Sequence, residues 1–167
     1  ETADMDTLLT AILAFSRKAA DLAGEKHVLG MGAAMQGEVD SAAGISVSLP
    51  YCPEWKNVPL ASILSEELGI PVFIGHDPDC LLYSWTQTEE SEDTVLIRAD
   101  NGIGMAVLLD GKIGTRPGMY EIGHLPAAAG GEPCPCGRRG CLECYASRSG
   151  MARRAGTRYS ELRRRAE

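Results

Sequence analysis

A chain of 167 residues with 44% hydrophobic and 23% charged residues is long enough for one good core or two small lobes, and no apolar run approaches the length that spans a bilayer. A net charge of -7 argues against non-specific nucleic-acid binding by these residues as a whole and leaves open DNA binding by a segment outside them. Nineteen glycines against two Phe and two Trp imply tight turns and close backbone approaches rather than an aromatic core.

From Met5 to Leu22, residues Leu8, Leu9, Ile12, Leu13, Phe15, Ala19, Ala20 and Leu22 recur at helical spacing, with Asp4 or Asp6 to cap the start and Gly24 at the end. His27 to Ala34 reads as a short buried strand whose glycines imply close packing, followed by a turn over Gln36 to Asp40. Gly44 to Leu49 alternates Ile45, Val47 and Leu49 against serines, a strand with one dry face. Tyr51 to Asn57, with Pro50 just before it and Pro53 and a tryptophan within it, reads as an irregular connection. Val58-Pro59 then opens a helix from Leu60 to Leu68 that Gly69 ends. Pro71 to Gly75 is a continuous apolar strand of the kind buried on both faces of a parallel sheet, and its carboxyl end delivers His76-Asp77, where open α/β sheets bind ligands.

Asp79 to Thr88 reads as a helix, and the acidic run Glu89, Glu90, Glu92 and Asp93 as a solvated connection. Thr94 to Ala99, Ile103 to Leu109 and Lys112 to Thr115 are strands joined through Asp100-Asn101-Gly102 and Asp110-Gly111, both hairpin signals, so an antiparallel meander is expected. It leads through Gly118 to Glu121. Tyr145 to Glu167 reads as helix broken near Gly150 and Gly156, with Arg153, Arg154, Arg158, Arg163, Arg164 and Arg165 on a solvated basic face.

The densest chemistry lies between Glu121 and Glu143: Glu-Ile-Gly-His, a Gly/Pro/Ala-rich loop, then Cys-Pro-Cys-Gly-Arg-Arg-Gly-Cys-Leu-Glu. His124, Cys134, Cys136 and Cys141 offer the imidazole and thiolate set that closes a tetrahedral structural zinc site, and Pro135, Gly137 and Gly140 permit the tight turn a Cys-x-Cys pair needs. Two alternatives stand beside this reading. Cys144 is near enough to replace His124, and four cysteines in so short a span can instead form two disulfides. The polar, acidic N-terminus, without a secretory segment's apolar core or cleavage site, points to a cytoplasmic chain, where cysteine clusters hold metal more often than disulfides.

Glu121-Ile122-Gly123-His124, Cys134-Pro135-Cys136-Gly137 and Gly140-Cys141-Leu142-Glu143 closely resemble the signature of the ROK family of repressors, open reading frames and sugar kinases. Gly37-Glu38-Val39-Asp40 resembles its P-G-x-V-D turn and Trp55 to Leu60 its W-x-x-V-P-L stretch, and the resemblance continues through Pro71 to Asp77 and Gly102-Ile103-Gly104. It implies an actin-like, ribonuclease H-like α/β fold of two lobes, here partial, with residues 1–77 in the first, residues 78–167 in the second, an inserted zinc loop at 121–143, and a hexose or hexose derivative in the cleft between lobes.

The resemblance also implies roles. Positions matching His124, Cys134, Cys136 and Cys141 bind structural Zn2+. Those matching Glu121, His124 and Glu143 contact sugar hydroxyls opposite a wall of His76 and Asp77. In the kinases the aspartate matching Asp77 is the general base, which suits a carboxylate at a strand end that takes the proton of an attacking hydroxyl. His124, its ring fixed by zinc, is assigned recognition rather than proton transfer.

The departures from the family pattern point toward its repressors. His76-Asp77 replaces the kinases' Asn-Asp, Asp79 stands where a second asparagine is common, Asp100-Asn101-Gly102-Ile103-Gly104 replaces a Gly-Thr-Gly phosphate turn, and Met119-Tyr120 replaces an alanine-glycine lead-in. Gln36 replaces the proline of the first turn. The D-x-G-x-T phosphate hairpin, the winged helix-turn-helix of the repressors and the closing glycine-rich segment and helix do not occur in these residues, so an internal fragment is expected, with part of the first lobe's sheet exposed and prone to self-association. The favoured reading is the sugar-sensing, oligomerising part of a transcriptional regulator, a dimer or tetramer reaching DNA through a helix-turn-helix elsewhere and not contacting membrane. The second is an ATP-dependent sugar kinase for glucose or an N-acylated hexosamine, using Asp77 with ATP and Mg2+ in the full-length protein. The third is a non-catalytic scaffold with a structural zinc loop.

Overall fold

The computed structural model describes residues 4–23, 27–49, 52–88, 92–114 and 121–156. They fall into two compact units, one holding the described residues up to Cys80 and the other those from Leu81 onward. Among them, no helix is long and apolar enough to cross a membrane. Gly24, Glu89, Glu90, Thr115, Gly118, Met119, Tyr120 and the arginines from Arg158 onward lie outside the described residues.

In the first unit, helix α1 (Met5–Asp21) starts where the Asp4 side chain accepts a hydrogen bond from the Thr7 amide at 2.8 Å, a standard N-cap. Its stripe of Leu8, Leu9, Ile12 and Leu13 packs on a core built around Trp55, Leu60 and Leu64. Arg17 pairs with Glu67 of the second helix, α2 (Leu60–Leu68), which ends at Gly69 with φ of 66°. Strand β1 (Met31–Met35) runs parallel to β5 (Val72–His76), with Met31 opposite Val72 and Met35 opposite His76. The close packing expected of this segment's glycines occurs at Gly30, where an added Cβ would sit 2.9 Å from the Pro71 carbonyl oxygen. In β5, Val72 and Ile74 are buried but Phe73 is 71% exposed, so one face of the strand is covered rather than the two expected.

Strands β2 (Glu38–Asp40), β3 (Ile45–Leu49) and β4 (Cys52–Val58) form an antiparallel sheet in that order. This corrects the reading of residues 51–57 as an irregular connection. Strand β4 lies at the sheet edge, where a proline costs no ladder bond, and its burial repeats every third residue at Cys52, Trp55 and Val58 instead of alternating. The strand is anchored by its tryptophan: Trp55 is 1% exposed, and its Nε1 donates to the buried Ser46 hydroxyl at 2.9 Å.

Helix α3 (Asp77–Thr86) starts two residues earlier than expected, with Pro78 in its first turn, where a missing N–H is tolerated. It carries Leu82 into the second unit's small core with Ala106 and Leu108. The expected meander is present as β6 (Thr94–Ala99), β7 (Ile103–Leu109) and β8 (Lys112–Ile113). Asp110 and Gly111 take φ of 49° and 71°, the positive pair that a two-residue hairpin requires. The C-terminal helices are α4 (Glu143–Ala146) and α5 (Arg148–Arg154), broken at Ser147 rather than near Gly150. The Ser147 hydroxyl donates to the Glu143 carbonyl at 2.6 Å and accepts from the Gly150 amide at 3.0 Å, so one side chain closes α4 and caps α5.

Candidate functional site

The loop of the second unit is shaped by its turn residues. Cys134, Pro135, Cys136 and Gly137 form a turn closed by the Gly137 amide on the Cys134 carbonyl at 3.0 Å, and the Cys134 amide donates to the Arg138 carbonyl at 2.8 Å. Gly140, with φ of 74°, donates to the Glu132 carbonyl and accepts from the amides of Ala127 and Ala128. A bridge between Pro126 and Cys141 then closes the loop, and a single 3-10 turn at Ile122–His124 delivers the histidine.

These turns bring the four expected residues together. One ligand atom each from His124, Cys134, Cys136 and Cys141 lies within 4.8 Å of the others. Cys134 Sγ stands 3.6 Å from His124 Nδ1, and Cys136 Sγ stands 3.7 Å from Cys141 Sγ. Bonds of about 2.3 Å to sulfur and about 2.1 Å to nitrogen in a tetrahedron give edges of about 3.8 Å between sulfurs and about 3.6 Å between sulfur and nitrogen. The spacing therefore fits a four-coordinate metal, and the group can hold a metal ion.

This geometry favours the set with His124 over both alternatives left open by the sequence. All six cysteines are free thiols. Cys144 is buried against Cys134 and Cys141, but its Sγ faces the Pro133 carbonyl oxygen at 3.7 Å, and it is His124 whose ring nitrogen groups with the three sulfurs.

Without a cation the sulfurs are unequal. Burial pushes the Cys134 and Cys141 thiols up. At Cys136 burial acts in the same direction, but hydrogen bonds from the Arg138 backbone and side chain and from Cys134 and Cys141 outweigh it and hold that thiol below its usual value. All three sulfurs bind metal as thiolates, so burial opposes ionisation at Cys134 and Cys141 while the hydrogen bonds to Cys136 favour it there.

Glu121 and Glu143, half-buried, flank the group. Glu143 opens α4, and its Oε2 accepts from the Ile103 amide at 3.1 Å. Two glycines leave room for that carboxylate: a Cβ on Gly102 would lie 2.8 Å from Oε2, and one on Gly123 would lie 3.3 Å from it. Sequence reasoning did not find the Ile103 amide, although Gly102-Ile103-Gly104 carried a signal in the missing side chains on either side.

The other residues singled out lie in the first unit. His76, the last residue of β5, has Nε2 3.8 Å from Asp77 Oδ1 and Nδ1 3.8 Å from Asp79 Oδ2, so its ring stands between two carboxylates. Asp79 Oδ1 is buried and has no hydrogen-bond partner. Burial first, and Asp77 last, push the Asp79 carboxyl up, against the opposing pull of His76. The three-residue spacing of His76 and Asp79 at the start of a helix is the sequence feature that announces this contact.

Comparison with known proteins identifies the family. The ROK family model matches residues 1–166. The chain is 31% identical over 122 residues to the DNA-binding transcriptional repressor Mlc of Escherichia coli, covering 68% of this chain and 29% of that protein. It is 33% identical over 128 residues to a glucokinase of Thermotoga maritima, covering 74% of this chain and 40% of that protein. The crystal structure of a ROK family transcriptional regulator, a homologue of E. coli MLC, superposes with a TM-score of 0.75 at 26% identity, over 93% of this chain and 41% of that one. The chain thus spans well under half the length of these relatives, which include both repressors and sugar kinases. Its mixed α/β fold is the actin-like, sugar kinase-like fold expected, and the chain belongs to the ROK family.

Proposed function

We propose that these residues form the sugar-sensing and oligomerising part of a ROK-type transcriptional regulator. The ligand is a hexose or hexose derivative, whose hydroxyls are bound by Glu121, His124 and Glu143 in the second unit. Zinc on His124 Nδ1, Cys134, Cys136 and Cys141 orients the imidazole so that Nε2 faces the sugar. The regulator's DNA contacts come from a helix-turn-helix outside these 167 residues, and sugar binding favours one of two conformations that this segment reads.

The observation that carries the regulator reading is the His76 ring set between Asp77 and Asp79. A general base must present a carboxylate to the proton it takes. An imidazole beside Asp77, itself tied to a second carboxylate, suits a group that fixes hydroxyl geometry better than one that cycles protons. Support also comes from the Mlc repressor at 31% identity.

The test is isothermal titration of the full-length protein with hexoses and N-acetylated hexosamines, with and without ATP, beside an assay for sugar phosphate. Saturable sugar binding without turnover is expected. ATP-dependent phosphorylation of the bound sugar overturns the reading.

A second reading rests on a specific feature: Asp77 follows the carboxyl end of a parallel strand, and a glucokinase is 33% identical. Under it Asp77 is the general base of a sugar kinase, and Asp77→Asn abolishes turnover while sugar binding survives.

A further inference from the structure

The turn joining β6 to β7 is held from outside itself. Its own closing bond runs from the Asp100 amide to the Gly102 carbonyl at 2.9 Å. Further bonds come from the segment that follows Cys141, including an ion pair of Arg148 with Asp100 at 3.5 Å. Glu143 Oε2 accepts from the Ile103 amide at 3.1 Å, the Arg148 amide donates to the Asp100 carbonyl at 2.8 Å, and the Ser149 hydroxyl donates to the Asn101 carbonyl at 2.5 Å.

The other end of the cysteine loop leans on the same turn. Gly123, next to His124, packs so closely on Ile103 that a Cβ there would lie 2.5 Å from the Ile103 carbonyl oxygen. The segment's position is in turn fixed by the loop: the Leu142 amide donates to the Leu125 carbonyl at 2.8 Å, and Cys141 bridges to Pro126. The turn is therefore gripped at Ile103 by groups one residue from His124 and two residues from Cys141.

We infer that Glu143 is a positioning residue through which metal occupancy at His124, Cys134, Cys136 and Cys141 sets the conformation of the Asp100–Ile103 turn. The inference rests on the reading of that cluster as a metal site. With the metal bound, His124 and Cys141 are fixed relative to each other, Gly123 and Glu143 close on Ile103 from two sides, and the turn has one conformation. With the metal removed, the loop loses its cross-link, the carboxylate is no longer held over the Ile103 amide, and the turn loses its grip at Ile103. One carboxylate oxygen of Glu143 is committed to the backbone, which leaves Oε1 as the acceptor for a ligand hydroxyl.

Amide hydrogen exchange on the full chain, followed by mass spectrometry of peptides covering residues 96–106, tests this in the zinc-loaded and chelated protein, with bound zinc measured in the same samples. Chelation is expected to accelerate exchange in the turn by about tenfold or more, while β7 beyond Met105 stays protected. Glu143→Ala is expected to retain stoichiometric zinc and to exchange fast in the turn whether or not zinc is present. Glu143→Gln, which keeps an acceptor oxygen, is expected to restore much of the protection. Turn exchange that is indifferent to zinc in a protein that binds it stoichiometrically overturns the coupling alone; a protein that binds no zinc overturns the coupling together with the metal-site reading. If Glu143→Ala exchanges like the wild type in the zinc-loaded state, Glu143 is not the link.

Discussion

The Glu143 carboxylate accepts a hydrogen bond from the Ile103 amide, forty residues away in sequence, and it fits there because Gly102 has no side chain. A methyl group on Gly102 would meet Oε2 at 2.8 Å and displace it. Gly102→Ala is therefore expected to weaken sugar binding by about tenfold, the equivalent of one lost hydrogen bond, while zinc content is unchanged. Titration calorimetry and elemental analysis on the same preparation check both halves of that expectation.

The cysteines should separate sharply in their effect on metal. Cys136→Ser removes a ligand and is expected to lower zinc affinity by more than the roughly 10–100-fold that loss of an outer partner costs. Cys144→Ser, outside the cluster, is expected to leave zinc stoichiometric. Competition with a chromophoric chelator gives both affinities, and equal losses in the two variants would contradict the ligand set.

Metal uptake should strengthen with pH. Burial holds the Cys134 and Cys141 thiols protonated, so binding must expel protons, and the affinity is expected to rise steadily between about pH 6 and about pH 8. Proton release, measured by calorimetry in buffers of different ionisation enthalpy, is expected to exceed one per zinc.

Asp79 should reveal itself through stability. Its carboxyl is raised above the ordinary value of 3.8, chiefly by burial, so the folded state binds its proton more tightly than the unfolded state does. A raised carboxyl contributes stability that is fully present below the unfolded value and is lost as pH rises through the folded value. Asp79→Asn is therefore expected to be more stable than the parent at neutral pH by about 1 kcal/mol and to flatten the pH dependence in that window. Chemical denaturation across the acidic range measures it.

The loop's backbone offers a fifth test. Gly140 has a positive φ, and a Cβ there would run into the Ala128 carbonyl oxygen, whereas Gly130 also has a positive φ but faces open space. Gly130→Ala is expected to cost about 1 kcal/mol, from conformation alone. Gly140→Ala is expected to cost several times that and to lower zinc content, because the loop cannot close without moving the backbone that carries Cys141.

The grouping of His124 with Cys134, Cys136 and Cys141, which can hold a metal ion, was the most legible part of the molecule. Its four residues lie within eighteen positions, and Pro135, Gly137 and Gly140 announce the turns that join them. The meander was legible too, because Asp110-Gly111 dictates its own geometry. Strand β4 was not: Pro53 argues locally against a strand, and only the tertiary contact of Trp55 with Ser46 overrides it. The helix break misplaced to Gly150 has a similar cause. Glycine there permits close packing on the Cys144 carbonyl, while the true break belongs to a serine that serves two helices. The grip of Glu143 on Ile103 joins distant residues through a backbone amide, so its only trace in the sequence is the glycine on either side of Ile103.

The most direct test is calorimetric titration of the full-length protein, without ATP, with a panel of hexoses and N-acetylated hexosamines, first zinc-loaded and then after chelation. If zinc orients His124 and secures Glu143 for recognition, at least one sugar binds the loaded protein saturably, and chelation abolishes that binding while re-addition of zinc restores it. Sugar binding of unchanged affinity in the zinc-free protein would contradict this picture.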